Sequence, residues 1–542
     1  MQPLDSDIGR AKALIIDSNP TSRSVMAAQL RDLGVPQVRQ MSRVQEARLV
    51  LEESPHDIVL CELSFDGAPM SGQDLLDELR RENLLPYSTV FILVTSEATY
   101  AQVLEAAEAT VDGYLVKPYS GVVLAERLTE VRRRKRLLKP IYAAIQASEF
   151  ARAAELAEAR FEARESYWVF AAQIAAELWL RADQPQRAMR VCNAVLEEKS
   201  CGWARAGLAR ARFAMGELAA ARRQLEALVA SAPDYADAHD LLGRVLVEQG
   251  EFASALESFR IASNLTTGCL LRMQHRGALA FYQGQKDEAL QFIDRTLTLG
   301  RKSKLFDALC LVLLALLKFD QRDSRGVAQI MDQVSQMCEA FPQSLRLARI
   351  RRLLQGLVAI QSRHPDEALA VARGLAAEIM APGFDLEAAA LTISLWVRLP
   401  TGEVPLKEFD TLLRTAGLRF CVSKASTEVL AASADRIDSA AETLRNCQTV
   451  ITNIAEQALN RSLSGESQAA VEMLLQQGEH THNAKLIEMA GAVARRHAKH
   501  VHDVDGIQHR VKTMQDAYCA PLTHIAGVRR SARMPGGVVL RT

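Results

Sequence analysis

The 542-residue chain holds nine cysteines but no CxxC pair and no regular cysteine spacing. That excludes a zinc cassette or a disulfide framework built on spaced pairs, and the thiols are expected to be reduced and mostly buried. No GxxxxGKS/T, GxGxxG, GxSxG or HExxH sequence occurs. The phosphate loop, the dinucleotide fingerprint, the nucleophile elbow and the helical zinc protease are therefore excluded. Histidine-kinase, nucleotide-cyclase and helix-turn-helix signatures are absent too, so no enzymatic or DNA-binding output is expected. No basic stretch leads into an apolar one near residue 1, and no export signal is expected. The most apolar run, 308–318, has 11 residues, whereas a membrane span needs about 20. A cytoplasmic protein without membrane contact is the expectation. Aromatics are only 5% of residues, while Ala and Leu abound, a balance that favours helix. The 65 bases cancel the 65 acids, which removes a chain-wide field for nucleic acid.

The length calls for several domains, or one domain and a repeat array. The charge is unevenly placed. Residues 1–130 hold 20 acids and 11 bases, a net of −9, which leaves +9 on the remainder. Four apolar runs lie in that acidic part: 12–17 (KALIID), 57–62 (DIVLCE), 90–95 (VFILVT) and 114–118 (YLVKP). Continuous apolar strands are what a parallel sheet covered on both faces requires. Amphipathic stretches at 21–33, 43–53, 71–82, 98–109 and 120–136 read as helices between and after them. This alternation predicts a doubly wound α/β unit, whose ligand crevice lies past the carboxyl ends of the strands. Each run ends in a polar residue, which brings Asp17, Glu62, Thr95 and Lys117 to one crevice.

The spacing of Thr95, Tyr114 and Lys117-Pro118 resembles the receiver domain of two-component signalling, over about residues 10–135. The resemblance implies a flavodoxin-like strand order. It also implies an acidic pair for Mg²⁺ after the first strand, an aspartate phospho-acceptor after the third, phosphoryl contacts from Thr95 and Lys117, and a switch aromatic at Tyr114. Two positions depart from the family. The acidic pair reads Asp17-Ser18, and the acceptor position holds Glu62. The loop from Leu63 to Gly72 also reads about two residues long. Mg²⁺ demands near-octahedral oxygen ligands, and phosphoryl transfer depends on positioning and on neutralised charge. Only Asp17 and Glu62 remain to hold the metal, so Mg²⁺ binding is expected to be weakened, with no other cofactor. Glu62 can reach Lys117 without metal, its carboxylate standing where a phosphoryl oxygen would. The alternatives are a structural remnant and a working acceptor.

Residues 131–139 carry six bases and read as the last receiver helix running into a linker broken near Pro140. Beyond it, Gly216…Ala221, Gly250…Ala255 and Gly284…Ala289 recur with a period of 34, the tetratricopeptide period. Gly243 and Gly277 lie 12 residues before Ala255 and Ala289, where two helices must approach closely. Asp183…Ala188 and Ser148…Ala153 echo the turn, as do Asp323…Ala328 and Arg363…Ala368 at looser spacing. The segments resemble tetratricopeptide repeats and imply a helical solenoid with a concave protein-binding face. Arg205, Arg212, His239 and Arg276 are candidates to line it. Seven of the 11 histidines fall between 480 and 524. They read as a solvated helix face, with a metal site as the alternative.

The domains expected are a receiver at 10–135, a tetratricopeptide array at 136–300, divergent helical repeats at 301–500 and a partly disordered tail at 501–542. The function expected is that of a non-enzymatic two-component adaptor. The array would hold other proteins, and a histidine kinase or another signalling partner would meet the receiver. A phosphorylation-controlled regulator with a repeat output is the alternative. Nucleic-acid binding through the basic segments is a further one, and nucleic acid is not the expected partner.

Overall fold

The computed structural model describes residues 7–65, 70–81, 84–96, 112–301, 303, 305–400 and 405–519. Five strands open the chain: β1 (Lys12–Ile16), β2 (Gln37–Met41), β3 (Ile58–Glu62), β4 (Val90–Thr95) and β5 (Gly113–Val116). They form one parallel sheet in the order β2-β1-β3-β4-β5. Helices α1 (Pro20–Asp32) and α4 (Gly121–Leu137) cover one face, while α2 (Val44–Glu53) and α3 (Gly72–Arg81) cover the other. The four apolar runs are the four inner and far strands. Strand β2 carries no such run, because it is an edge strand whose side chains are mostly exposed. Its polar Gln-Val-Arg-Gln-Met sequence therefore gives no strand signal. The helix expected at 98–109 lies outside the described residues.

A helical array follows. Its hairpins are α5 (Lys139–Gln146) with α6 (Phe150–Glu162), α7 (Trp168–Arg181) with α8 (Pro185–Glu198), and α9 (Gly202–Ala214) with α10 (Leu218–Ser231). Next come α11 (Ala236–Glu248) with α12 (Phe252–Leu265), and α13 (Leu270–Tyr282) with α14 (Lys286–Gly300). Then come α15 (Leu309–Asp320) with α16 (Ser324–Ala340), and α17 (Leu345–Gln361) with α18 (Pro365–Ala377). The chain continues through α19 (Leu386–Trp396), α20 (Leu406–Phe420), α21 (Lys424–Ser433), α22 (Asp438–Leu463), α23 (Ser467–Thr481), α24 (Ala484–Arg496) and α25 (Val504–Tyr518).

Each hairpin turns through one left-handed residue. Glycine fills that place at Gly216, Gly250 and Gly284, and Ser148, Asp183, Arg322 and Arg363 take the same positive φ. Five residues on, Ala153, Ala188, Ala221, Ala255, Ala289 and Ala368 are fully buried. Arg322 moves one expected register: Val327 is the buried counterpart and Ala328 is exposed. A further turn of this kind occurs at Gly465, five residues before buried Ala470. Gly243 and Gly277 are close-approach positions, since a Cβ there would stand 2.5 Å from Phe259 and 2.9 Å from Ile293.

The apolar 308–318 run is α15, a helix enclosed on all sides by protein. No helix among the described residues is long and apolar enough to cross a membrane. Eight of the nine cysteines are buried thiols. Residues 504–518 form α25, which packs on α24. Within the expected tail this segment is an ordered helix, because Ile507, Val511 and Met514 give it a buried stripe. Residues 520–542, with His524, lie outside the described residues.

The array does not keep its inner face open. Helix α21, a run of small and β-branched residues, packs against the first helices α11 and α13. Ala425, Val429 and Leu430 join the same core as Leu241, Val245 and Leu279. The chain beside α21 is pinned to the end of α15, where Asp320 accepts from Arg398 at 2.9 and 3.0 Å and also pairs with Arg436.

The receiver-like sheet sits against the middle of this array. Arg48 and Glu78, with side chains 1% and 0% exposed, pair at 3.4 Å. Arg48 Nη2 donates to the Leu299 carbonyl at 2.5 Å, and Glu78 Oε1 accepts from the Leu270 amide at 2.8 Å. Glu52 accepts from Ser303 Oγ at 2.6 Å. Leu84 packs beside Leu270, Phe292 and Leu305. Met70 comes so close to the backbone that a Cβ at Gly268 would stand 2.3 Å from its own. Buried charges persist only when paired and hydrogen-bonded. Here the array supplies the missing partners, two backbone groups and the Ser303 hydroxyl, so the seam is a built interface.

Candidate functional site

The carboxyl ends of β1, β3, β4 and β5 meet at one rim. Parallel pairing brings this about: the Asp17 amide donates to the Met41 carbonyl at 3.1 Å, Leu63 to Val94 at 2.8 Å and Lys117 to Thr95 at 2.7 Å. Asp17, Ser18, Glu62 and Lys117 are thereby brought together, with Thr95 buried beside them.

Asp17 is fully buried and both of its carboxylate oxygens accept hydrogen bonds. Oδ1 accepts from the Asn19 amide at 2.7 Å, and Oδ2 accepts from Ser22 Oγ and Lys117 Nζ, each at 2.7 Å. Glu62 Oε2 accepts twice from Ser18, from its amide at 3.0 Å and its hydroxyl at 2.8 Å. Its Oε1 accepts from Lys117 Nζ at 3.2 Å. One carboxylate thus bridges the β1–α1 loop to β5. Burial pulls the Lys117 ammonium down, but the hydrogen bond and charge of Asp17, helped by Glu62, outweigh it and hold the group above the ordinary lysine range. Tyr114 is half-buried, pairs with Leu93 in the sheet register and packs against the apolar cluster under α2 and α3.

Two further residues shape the rim, and neither stands out in the sequence. Arg23 Nη1 donates to the carbonyls of Asp17 at 2.6 Å and Ser18 at 2.9 Å. It sits in the first turns of α1, where a cation has no local helical role. Gly72 begins α3 against the Glu62 carbonyl, which a Cβ would approach to 2.2 Å. Only glycine permits that contact, and it presses the start of α3 onto the end of β3. Within the loop before Gly72, residues 66–69 lie outside the described residues.

The donor set does not fit a resident Mg²⁺. The ion needs near-octahedral oxygen ligands at short range and parts reluctantly with water. Both Asp17 oxygens already accept, Ser18 offers a neutral hydroxyl whose proton goes to Glu62, and Glu62 is held by Ser18 and Lys117.

The other candidates fall in structural places. His239 is buried and bonds to the Pro233 carbonyl at 2.9 Å. Arg205 reaches Ser231 and the Ala227 carbonyl, and Arg276 lies over the Phe292 ring while bonding to Glu288. Arg205 and Arg276 tie neighbouring helices together, and His239 ties the start of α11 to the turn before it. Arg212 is half-buried. Of the six bases at 131–139, Arg134 and Lys135 turn inward to buried Asp112, which also pairs with Arg80 at 3.5 Å. The amphipathic pattern of α4 hides this, since its charged run looks wholly solvated. His482 stacks on Tyr518, while His480, His500, His502 and His509 are exposed.

Sequence comparison agrees with this layout. The response regulator receiver domain model matches residues 13–129, and a tetratricopeptide repeat model matches 180–245. The chemotaxis protein CheY-3 of Vibrio cholerae is 34% identical over 120 residues, which is 22% of this chain and 90% of that protein. The chemotaxis protein CheY of Pseudomonas aeruginosa is likewise 34% identical over 120 residues, covering 94% of its length. A solved tetratricopeptide repeat protein from Parabacteroides merdae covers 48% of this chain and 98% of its own, at 16% identity and a TM-score of 0.31.

Proposed function

Because the N-terminal domain of this chain belongs to the response regulator receiver family and tetratricopeptide repeats follow it, we propose that the protein is a non-enzymatic two-component adaptor whose receiver is locked. The observation that carries this reading is the Glu62 carboxylate bridging Ser18 and Lys117. In a phosphorylation switch, the phosphoryl group supplies the negative charge that draws the lysine and the strand ends together, and the metal ion partly neutralises it. In this chain Glu62 supplies that charge permanently and from within. The receiver then has one conformation and serves as a recognition module in the cytoplasm, for a histidine kinase or another signalling protein. The array holds a second protein.

The seam supports the same reading. A receiver that cycles between states needs a surface free to change, whereas α2 and α3 here bury Arg48 and Glu78 against array backbone and Glu52 against the Ser303 hydroxyl. The first basic segment offers nucleic acid less than its sequence suggests, because two of its six bases, Arg134 and Lys135, turn inward to Asp112. The reading is tested by hydrogen exchange on the full chain with Mg²⁺ and with a chelator. Equal protection of β1, β5 and the Leu270 and Leu299 seam is expected in both. Protection that rises with Mg²⁺ would sink the lock and restore the phosphorylation-controlled alternative.

A further inference from the structure

Where the receiver meets the array, a cleft of about 710 Å³ opens between α2 on one side and α14, α15 and α16 on the other. Its volume is in the range of small-molecule and peptide sites. Its floor is apolar, made of Leu49 from the receiver and Leu314 and Ile330 from the array. Three glutamines face it: Gln45 from α2, and Gln329 and Gln333 one turn apart on α16. None of the three carboxamides hydrogen-bonds to a described residue. At the rim, Lys318 is held by Asp323 at 3.2 Å and Glu46 by Arg43 at 3.3 Å. Arg301, Arg325 and Asp294, all exposed, complete the rim with no ion pair among the described residues, which leaves two guanidinium groups against one carboxylate.

We propose that this cleft binds an extended peptide segment of a partner protein, one that carries an apolar residue beside an acidic one. The chemistry of the lining selects this occupant. An extended backbone presents alternating carbonyl and amide groups, and a glutamine carboxamide offers one acceptor and two donors to match them. The Leu49, Leu314 and Ile330 floor takes the apolar side chain, and the unpaired guanidinium groups take the carboxylate bidentately. The inner face, where such arrays bind peptides, is filled by α21. The seam cleft offers both a floor and unpartnered hydrogen-bonding groups. The proposal rests on the receiver being seated on the array, since Gln45 and Leu49 form one wall.

The test uses the full chain and a synthetic library of blocked random octapeptides, with selected peptides titrated by fluorescence anisotropy. Selected peptides are expected to pair an apolar residue with Asp or Glu. Both Gln45→Ala and the double variant Gln329→Ala, Gln333→Ala should weaken them at least tenfold with unchanged circular-dichroism melts. No enrichment, or binding indifferent to either wall, would overturn the proposal. Hydrogen exchange of the Leu270 and Leu299 amides is read on the same samples. Protected amides with no peptide binding refute the cleft alone, whereas unprotected amides refute the seating on which it depends.

Discussion

Removing the Glu62 carboxylate should loosen the receiver at one identifiable place. Glu62→Ala deletes two hydrogen bonds from Ser18 and one from Lys117. A hydrogen bond to a charged group contributes about 1.5–3 kcal/mol. Three terms do not add here. Ser18 is exposed and regains water, Lys117 keeps Asp17 at 2.7 Å, and the ion pair is partly screened because Lys117 is about one-fifth exposed. The expected net loss is about 2 kcal/mol, or roughly thirtyfold faster local opening. Global melting of a two-domain chain gives no single stability, so the assay is hydrogen exchange of the Ser18 and Lys117 amides in the full chain. Glu62→Gln keeps an acceptor but not the charge and should fall between wild type and Glu62→Ala. If Ser18 exchange in Glu62→Ala stays within about twofold of wild type, below ~0.5 kcal/mol, the bridge carries no weight and the reasoning fails.

Other perturbations have definite signs. Lys117 has a folded-state pKa above its ordinary value. Its contribution is therefore complete below pH 10.5 and is lost as pH rises through the raised value. Receiver exchange measured from pH 8 upward, corrected for intrinsic rates, should accelerate late in wild type, and Lys117→Met should lack that step. Gly268→Val drives a side chain into Met70; it should unseat the receiver, exposing the Leu270 amide to exchange while the hairpins of the array keep their protection. Asp112→Asn leaves Arg80, Arg134 and Lys135 buried around a neutral group and should destabilise the receiver by about 3–5 kcal/mol. Burial already pushes Lys135 down to about 7, so Lys135→Met should cost far less, as read by urea unfolding followed on receiver peptides.

Much of this was legible in the sequence. The strands that are buried on both faces declare themselves as apolar runs, and their polar ends mark the crevice. Strand β2 does not, because none of its side chains is fully buried, whereas the other edge strand, β5, keeps an apolar run around buried Leu115. The hairpin turns are visible where glycine takes the left-handed position. Where Arg322 takes it, the pattern slips by one residue. The Asp17, Glu62 and Lys117 cluster follows from strand order, and the reach of Glu62 to Lys117 follows from side-chain length. The second half of the lock, Glu62 to Ser18, needed the loop geometry that Arg23 and Gly72 impose. The seam was hidden: Arg48, Glu52 and Glu78 look like the solvated charges of amphipathic helices, and their partners are two backbone groups and the Ser303 hydroxyl, all more than 190 residues away. The filling of the inner face by α21 was hidden for a similar reason. A run of small residues fits an outer helix and a packed one equally well.

The locked receiver is tested most directly by intact-mass measurement of the full chain after incubation with a small acyl phosphate and Mg²⁺. The account predicts an unchanged mass, because Glu62 is held by Ser18 and Lys117 and the rim offers the metal no open carboxylate. A stable added phosphoryl group on wild type that disappears in Glu62→Gln would contradict it and make this receiver a switch.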